Sequence, residues 1–175
     1  MSDQLGLWDA VSRALPVKDH HGLTVDDARQ KLEAQLVDGA TCPCCDRFAR
    51  RYRRGLTAGM AVVLCRIVRR SVGKGTPWVN VTELKDPPRG GDYAKARHWG
   101  LIEQAPPDPD DPTRRSSGVW RATNKGVDFA LGRITVPRAY IEYDSTVLGF
   151  EQEHVSIQQA LGNRFCYATL MSGGA

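Results

Sequence analysis

Apolar residues return at helical spacing in three stretches of the chain. Trp8, Val11 and Leu15 share a face between Asp3 and Leu15, and Pro16 stops that run. Val25, Ala28, Leu32 and Leu36 repeat the pattern behind Thr24, a capping residue, and Gly39 closes the segment. The third run, from Thr57 to about Ser71, carries Met60, Val63, Leu64 and Ile67 as an apolar stripe. Arg66, Arg69 and Arg70 fall off that stripe, and the last two suit the negative end of a helix. This run is predicted to be the spine of the core.

Beyond Ser71 the elements shorten. "PWVNVTELKD" reads as an extended segment entering a helical turn, and "GGDYAKARHWGLIEQ" as a brief helix capped by Asp92, ended by Gly100 and followed by a strand from Leu101. "APPDPDDPTRRSS" has no periodicity and is a loop, after which "GVWRATNKGVDFALG" supplies a second strand and a helical turn, making a hairpin. "RAYIEYDSTVLGF" alternates like a β pair, and Ser156 and Gln159 stand at capping-box spacing before a C-terminal helix. The pattern predicts an α+β, mainly helical chain in three parts. These are N-terminal helices with a cysteine turn (1–46), a helical domain with the hairpin (47–133), and a strand pair with a helix (134–175).

Charge sharpens this division. Residues 1–46 carry 4 Lys and Arg against 8 Asp and Glu, residues 47–102 carry 13 against 3, and residues 103–175 carry 7 against 9. A middle segment of net +10 suits a polyanion held through counterion release, whereas a merely solvated surface mixes both signs. The longest apolar run, Met60–Cys65, is too short to span a bilayer, so no membrane role is expected. The first residues show no basic stretch leading into an apolar one, and the five cysteines are odd in number. Both point to a reducing cytoplasm and to thiols or metal rather than a disulfide framework.

Cys42 and Cys45 have the C-x-x-C spacing that lets two thiolates share one tetrahedral zinc, with Pro43 tightening the turn. Four ligands are needed for a structural zinc, so Cys44, His20, His21, His154 or Cys166 would have to be brought in by the fold. A metal-free thiol turn and a redox pair are the other readings. Cys65, inside the apolar helix, reads as a small core residue. Arg47, Arg50, Arg51, Arg53 and Arg54 follow the turn too closely to lie on one helical face. They suit a phosphate clamp, an acidic protein surface such as that of a host factor, or pairing within the chain.

Helix, short helix, short helix and two-stranded hairpin is the order of a winged helix-turn-helix, and particular residues carry the likeness. "HWGLIE" resembles the junction in MarR-type winged helices where the recognition helix turns into the wing. "WRATNKG" resembles the Thr-x-x-Gly with which the second wing strand enters the next helix. The resemblance covers about Leu56 to Gly132, with the N-terminal helices and the C-terminal hairpin and helix as extensions. Together with "CPCCDRFARRYRR" and the ending "ALGNRFCYATLM", these motifs look like a group of proteins carried by bacteriophages and prophages. That kinship implies a fold and a mobile-element origin, not a reaction.

The resemblance implies double-stranded DNA as partner. The stretch from Asp92 to Trp99 becomes the major-groove helix, with Arg97 suited to guanine, Lys95 to phosphate and His98 beside them. Arg114 and Arg115 would tip the wing, although Asp108, Asp110 and Asp111 in the same loop oppose phosphate. The bland reading is that Lys95, Arg97 and His98 form a solvated face, with Trp99, Leu101, Ile102, Trp120 and Phe129 packed in the core. No nucleotide loop, nucleophile elbow or HExxH motif is present, so no enzyme is expected. The expectation is a phage- or prophage-type DNA-binding regulator or accessory protein. The alternative is an effector that uses the same scaffold to bind a host protein. A third possibility is that the N-terminal helices and C-terminal tail are dimerisation arms of a repressor, making a homodimer.

Overall fold

The computed structural model describes residues 22–71, 74–75, 77–84, 86–106 and 117–172. The helix expected over Asp3–Leu15, His20, His21, and the wing-loop residues Asp108, Asp110, Asp111, Arg114 and Arg115 lie outside the described residues. The chain divides into two compact units, Met1–Tyr52 and Arg53–Ala175.

In the first unit, α1 (Val25–Gln35) begins at a capping box. The Asp27 N–H donates to Thr24 Oγ1 at 3.1 Å, and the Thr24 N–H donates back to the Asp27 carboxylate. Of the expected apolar face, Ala28 and Leu36 are buried, Leu32 is half-buried and Val25 is exposed. After Gly39, whose φ of +94° suits only glycine, β1 (Ala40–Thr41) pairs antiparallel with β2 (Phe48–Ala49). A Cβ at Gly39 would lie 2.4 Å from Phe48 Cζ, so the aromatic ring lies across the glycine.

The second unit is built around α2 (Ala58–Ser71). Thr57 Oγ1 accepts from the Met60 N–H at 3.3 Å at its start. Every residue from Met60 to Cys65 is buried, as are Ile67 and Val68, so the helix is wrapped on nearly all sides rather than along one stripe. Its wrapping comes from a three-stranded antiparallel sheet and from helices that the chain places around it. The sheet contains β4 (Val79–Asn80), β5 (Ile102–Gln104) and β6 (Val119–Ala122) in the order β4–β6–β5, with Val79 opposite Trp120 and Ile102 opposite Ala122.

Between β4 and β5 lie two 3-10 helices, Val81–Glu83 and Asp92–Trp99. The second does not use Asp92 as its cap: Gly91 occupies that position without a side-chain cap, and Asp92 pairs instead with Lys95 at 2.8 Å. Gly100, with φ of +70°, ends it. Thr123 then caps α3 (Asn124–Ala130), accepting from the Gly126 N–H at 3.0 Å and donating to the Gly100 carbonyl at 2.6 Å.

The remaining chain joins the same core. β7 (Val136–Pro137) pairs with β10 (His154–Val155), while β8 (Ala139–Tyr143) and β9 (Thr146–Phe150) form a hairpin turned by Asp144 and Ser145, both at positive φ. With β3 (Tyr52–Gly55) they make a sheet ordered β3–β8–β9. Ser156 and Gln159 form the expected capping box on α4 (Ile157–Leu161), and α5 (Tyr167–Ser172) follows. Val136, Tyr140, Val155, Ile157 and Leu161 share one core with the residues of α2. Residues 134–172 therefore pack as part of the second unit, which begins at Arg53.

The architecture is mixed α+β, 42% helical and 23% strand over the described residues, so the expectation of a mainly helical chain is corrected. The physical reason is that the cysteine turn and the arginine stretch also supply strands, β1, β2 and β3, so that four small sheets stand among the described residues.

Candidate nucleic-acid interface

A 3-10 helix has three residues per turn, so Asp92–Trp99 presents three straight rows. Tyr93, Ala96 and Trp99 form the inner row. Ala96 and Trp99 are buried, Tyr93 meets Trp120 edge-on at 5.8 Å, and the Trp99 indole N–H donates to the Pro137 carbonyl at 2.7 Å. Asp92, Lys95 and His98 form the second row. Here the Lys95 ammonium holds the Asp92 carboxyl below its usual range, and the His98 ring rests on Tyr140 with centroids 5.1 Å apart. Burial, reinforced by the Arg97 and Lys95 charges and opposed by Glu142, lowers the pKa of His98 and so favours its neutral ring. Arg97 belongs to the third row. It is exposed, and its side chain makes no hydrogen bond or ion pair among the described residues.

Of the three positions expected on this helix, Arg97 is thus open to a ligand, Lys95 is held by Asp92, and His98 is packed against a ring. Lys125, which the sequence reading did not single out, lies close by: its Cδ is 4.0 Å from where a Cβ on Gly100 would stand. It is exposed and, like Arg89 in the turn before the helix, unpaired among the described residues. The only sequence signal for Lys125 was its place inside "TNKG", where the cap at Thr123 turns α3 back toward Gly100.

The arginines after the cysteine turn belong to two units. Arg47, Arg50 and Arg51 are exposed in the first unit and unpaired among the described residues, where the Arg51 N–H donates to the Leu36 carbonyl at 2.8 Å. Arg53 and Arg54 stand on β3. Arg53 grips Glu151 through both carboxylate oxygens, at 2.6 and 2.8 Å, and Arg54 Nε meets Glu142 at 2.7 Å. Successive residues of a strand face opposite sides, and of these two arginines one meets Glu142 of β8 and the other Glu151, just after β9. Arg66 pairs with Asp86, Arg121 with Glu103, Arg133 with Asp128 and Arg138 with Glu153. Within the +10 segment, Arg53, Arg54, Arg66 and Lys95 are thus held by carboxylates, and Arg69 and Arg70 by backbone carbonyls.

The cysteine turn is closed by the Cys42 N–H donating to the Arg47 carbonyl at 2.8 Å and the Asp46 N–H donating to the Cys42 carbonyl at 3.0 Å. Backbone N–H groups of Cys44 and Cys45 point at the Cys42 sulfur and hold its pKa below the usual thiol range. Cys44 and Cys45 are exposed. That donor set favours a thiolate and suits a thiophilic ion, but among the described residues no group of three or more His, Cys, Asp or Glu is arranged to hold a metal. Cys65 is buried in α2, where desolvation pushes its thiol up to about 12, in keeping with a core residue.

No family model, no curated protein and no solved structure matches the chain. Among the described residues no helix is long and apolar enough to cross a membrane.

Proposed function

We propose that the second unit is a winged helix-turn-helix that binds double-stranded DNA, and that the protein acts as a phage- or prophage-type regulator or accessory factor. Support for the fold comes from the order of α2, β4, the two 3-10 helices, β5 and β6, with β6 between its partner strands as the second wing strand. The observation that carries the DNA reading is Arg97. It stands on the outer row of a helix whose inner row is anchored by Trp99, and its side chain is left unpaired among the described residues, while Arg53, Arg54, Arg66 and Arg121 each hold a carboxylate. Arg97 is assigned to a base edge or phosphate, and Arg89 and Lys125 to phosphates.

Fluorescence anisotropy of a mixed-sequence duplex, titrated with the protein at several salt concentrations, tests this. Affinity that falls steeply with log salt is expected, and absence of binding at low salt rejects the reading.

One observation favours a protein partner as the second reading. β9 is an edge strand whose Leu148 and Phe150 are 51% and 42% exposed, a surface suited to strand addition by another chain. Capture of one host protein that persists after nuclease treatment, with no duplex binding, would favour it.

A further inference from the structure

Trp78 stands immediately before β4 and is 41% exposed, an unusual position for an indole that the core does not need. The Arg121 guanidinium carbon lies 4.4 Å from the centre of its ring, and that guanidinium is itself held by Glu103. One face of the indole is therefore covered by a fixed cation. Trp78 also lines a cleft of about 230 Å³ together with Arg70, Lys74, Pro77, Asn80 and Glu83. Arg121 is not among the residues that line the cleft.

The polar groups of this cleft are of two kinds. Lys74 is exposed and unpaired among the described residues, and Arg70, on the last turn of α2, spends one N–H on the Glu83 carbonyl at 3.2 Å. Both can meet an anion. The Glu83 carboxylate accepts from Asn80 Nδ2 at 3.0 Å through one oxygen, which leaves the other to accept from a ligand. An exposed aromatic surface, two cations and an oriented carboxylate recognise a flat ring that bears an amino donor and an anionic tail. The volume is below the roughly 300–1,000 Å³ of drug-sized pockets and matches a single ring system.

We infer that this cleft binds one nucleotide unit, its base stacked on Trp78, the exocyclic amino group of that base donating to Glu83, and its phosphate at Lys74 and Arg70. The site uses none of the residues assigned to duplex DNA and stands apart from that reading. The same chemistry is offered by a free mononucleotide and by a nucleotide of a single strand, and the binding arms separate the two.

Isothermal titration with AMP, UMP, inorganic phosphate and a single-stranded oligo(dA) is the test, repeated on Trp78→Ala, Trp78→Phe and Lys74→Ala. Stacking on one aromatic ring accounts for roughly tenfold in affinity, so Trp78→Ala is expected to lose about that factor and Trp78→Phe to retain most of it. UMP, which has no exocyclic amino group, is expected to bind several-fold more weakly than AMP, and Glu83→Gln to shrink that difference. Binding of AMP identifies a free nucleotide as the ligand, and binding of oligo(dA) alone identifies a strand. Failure of both to bind, or affinity that Trp78→Ala leaves unchanged, overturns the inference. Duplex affinity is expected to be the same in Trp78→Ala and the parent protein, so the two sites fail or stand separately.

Discussion

The Leu101 carbonyl oxygen lies 1.9 Å from where a Cβ on Gly126 would stand, and the Leu101 carbonyl carbon only 2.8 Å. The backbone of α3 therefore passes directly over the turn that ends the Asp92–Trp99 helix, and the Thr123 hydroxyl ties the same two segments through the Gly100 carbonyl. Gly126→Ala would drive a methyl into backbone that cannot swing aside. A loss of about 3 kcal/mol in unfolding free energy is expected, toward the upper end for overpacking, and chemical denaturation at constant m-value measures it.

On the DNA reading, Arg97→Ala and Lys125→Ala each remove a phosphate or base contact. Each is expected to weaken duplex binding, and loss of a phosphate contact lowers the slope of log affinity against log salt by about one. Arg53→Ala should change that slope little, because Arg53 is already held by both oxygens of Glu151. Anisotropy at four or more salt concentrations distinguishes these outcomes; equal slopes for Arg97→Ala and the parent protein would count against Arg97.

The Arg53 guanidinium holds the Glu151 carboxyl below its ordinary 4.5. A carboxyl depressed in the folded state contributes stability that is present above its unfolded pKa and is lost as pH falls through the folded one. Stability is therefore expected to fall on acidification below about pH 4.5, partly through Glu151. Glu151→Gln should flatten that portion of the curve, as read from melting temperature across pH 2–6.

His98 works in the same direction in a higher window. Its folded pKa is lowered from 6.5 by burial against Tyr140, so protonation opposes folding. The neutral ring's contribution is present above pH 6.5 and is lost as pH falls through the folded value. NMR titration of the ring protons should place its midpoint below 6.5, and His98→Asn should remove this part of the pH dependence.

The thiols divide by environment. Iodoacetamide at pH 8 is expected to modify Cys42 and Cys166, whose pKa values are lowered, faster than Cys44, whose pKa is raised, and to leave Cys65 untouched until the chain unfolds. Zinc at Cys42 and Cys45 remains our proposal for the turn. It predicts bound zinc by elemental analysis, faster alkylation of these two residues after chelation, and loss of metal in Cys42→Ser; zinc content unchanged in that variant would exclude the pair.

Much of what was legible in the sequence is local. Thr24 with Asp27, Thr57 with Met60, Thr123 with Gly126 and Ser156 with Gln159 are contacts over three residues, so residue type and spacing suffice to predict them. The stop at Gly100 was likewise readable, because glycine tolerates positive φ. The cap at Asp92 failed for a nearby reason: Lys95, three residues on, offered its carboxylate a charged partner.

Only the tertiary structure decided the fate of the charges and the anchoring of the candidate helix. Arg53 and Glu151 are 98 residues apart, Arg54 and Glu142 are 88 apart, and Trp99 finds the Pro137 carbonyl across 38. A run of arginines shows in its sequence how much positive charge it carries, but which of those charges stay free depends on the carboxylates that chain closure brings alongside. The sequence by itself determined where the chain turns and caps and that its middle is basic. The fold, by pairing β3 with the β8–β9 hairpin and turning α3 over Leu101, decided that Arg53 and Arg54 are engaged while Arg97 and Lys125 remain open.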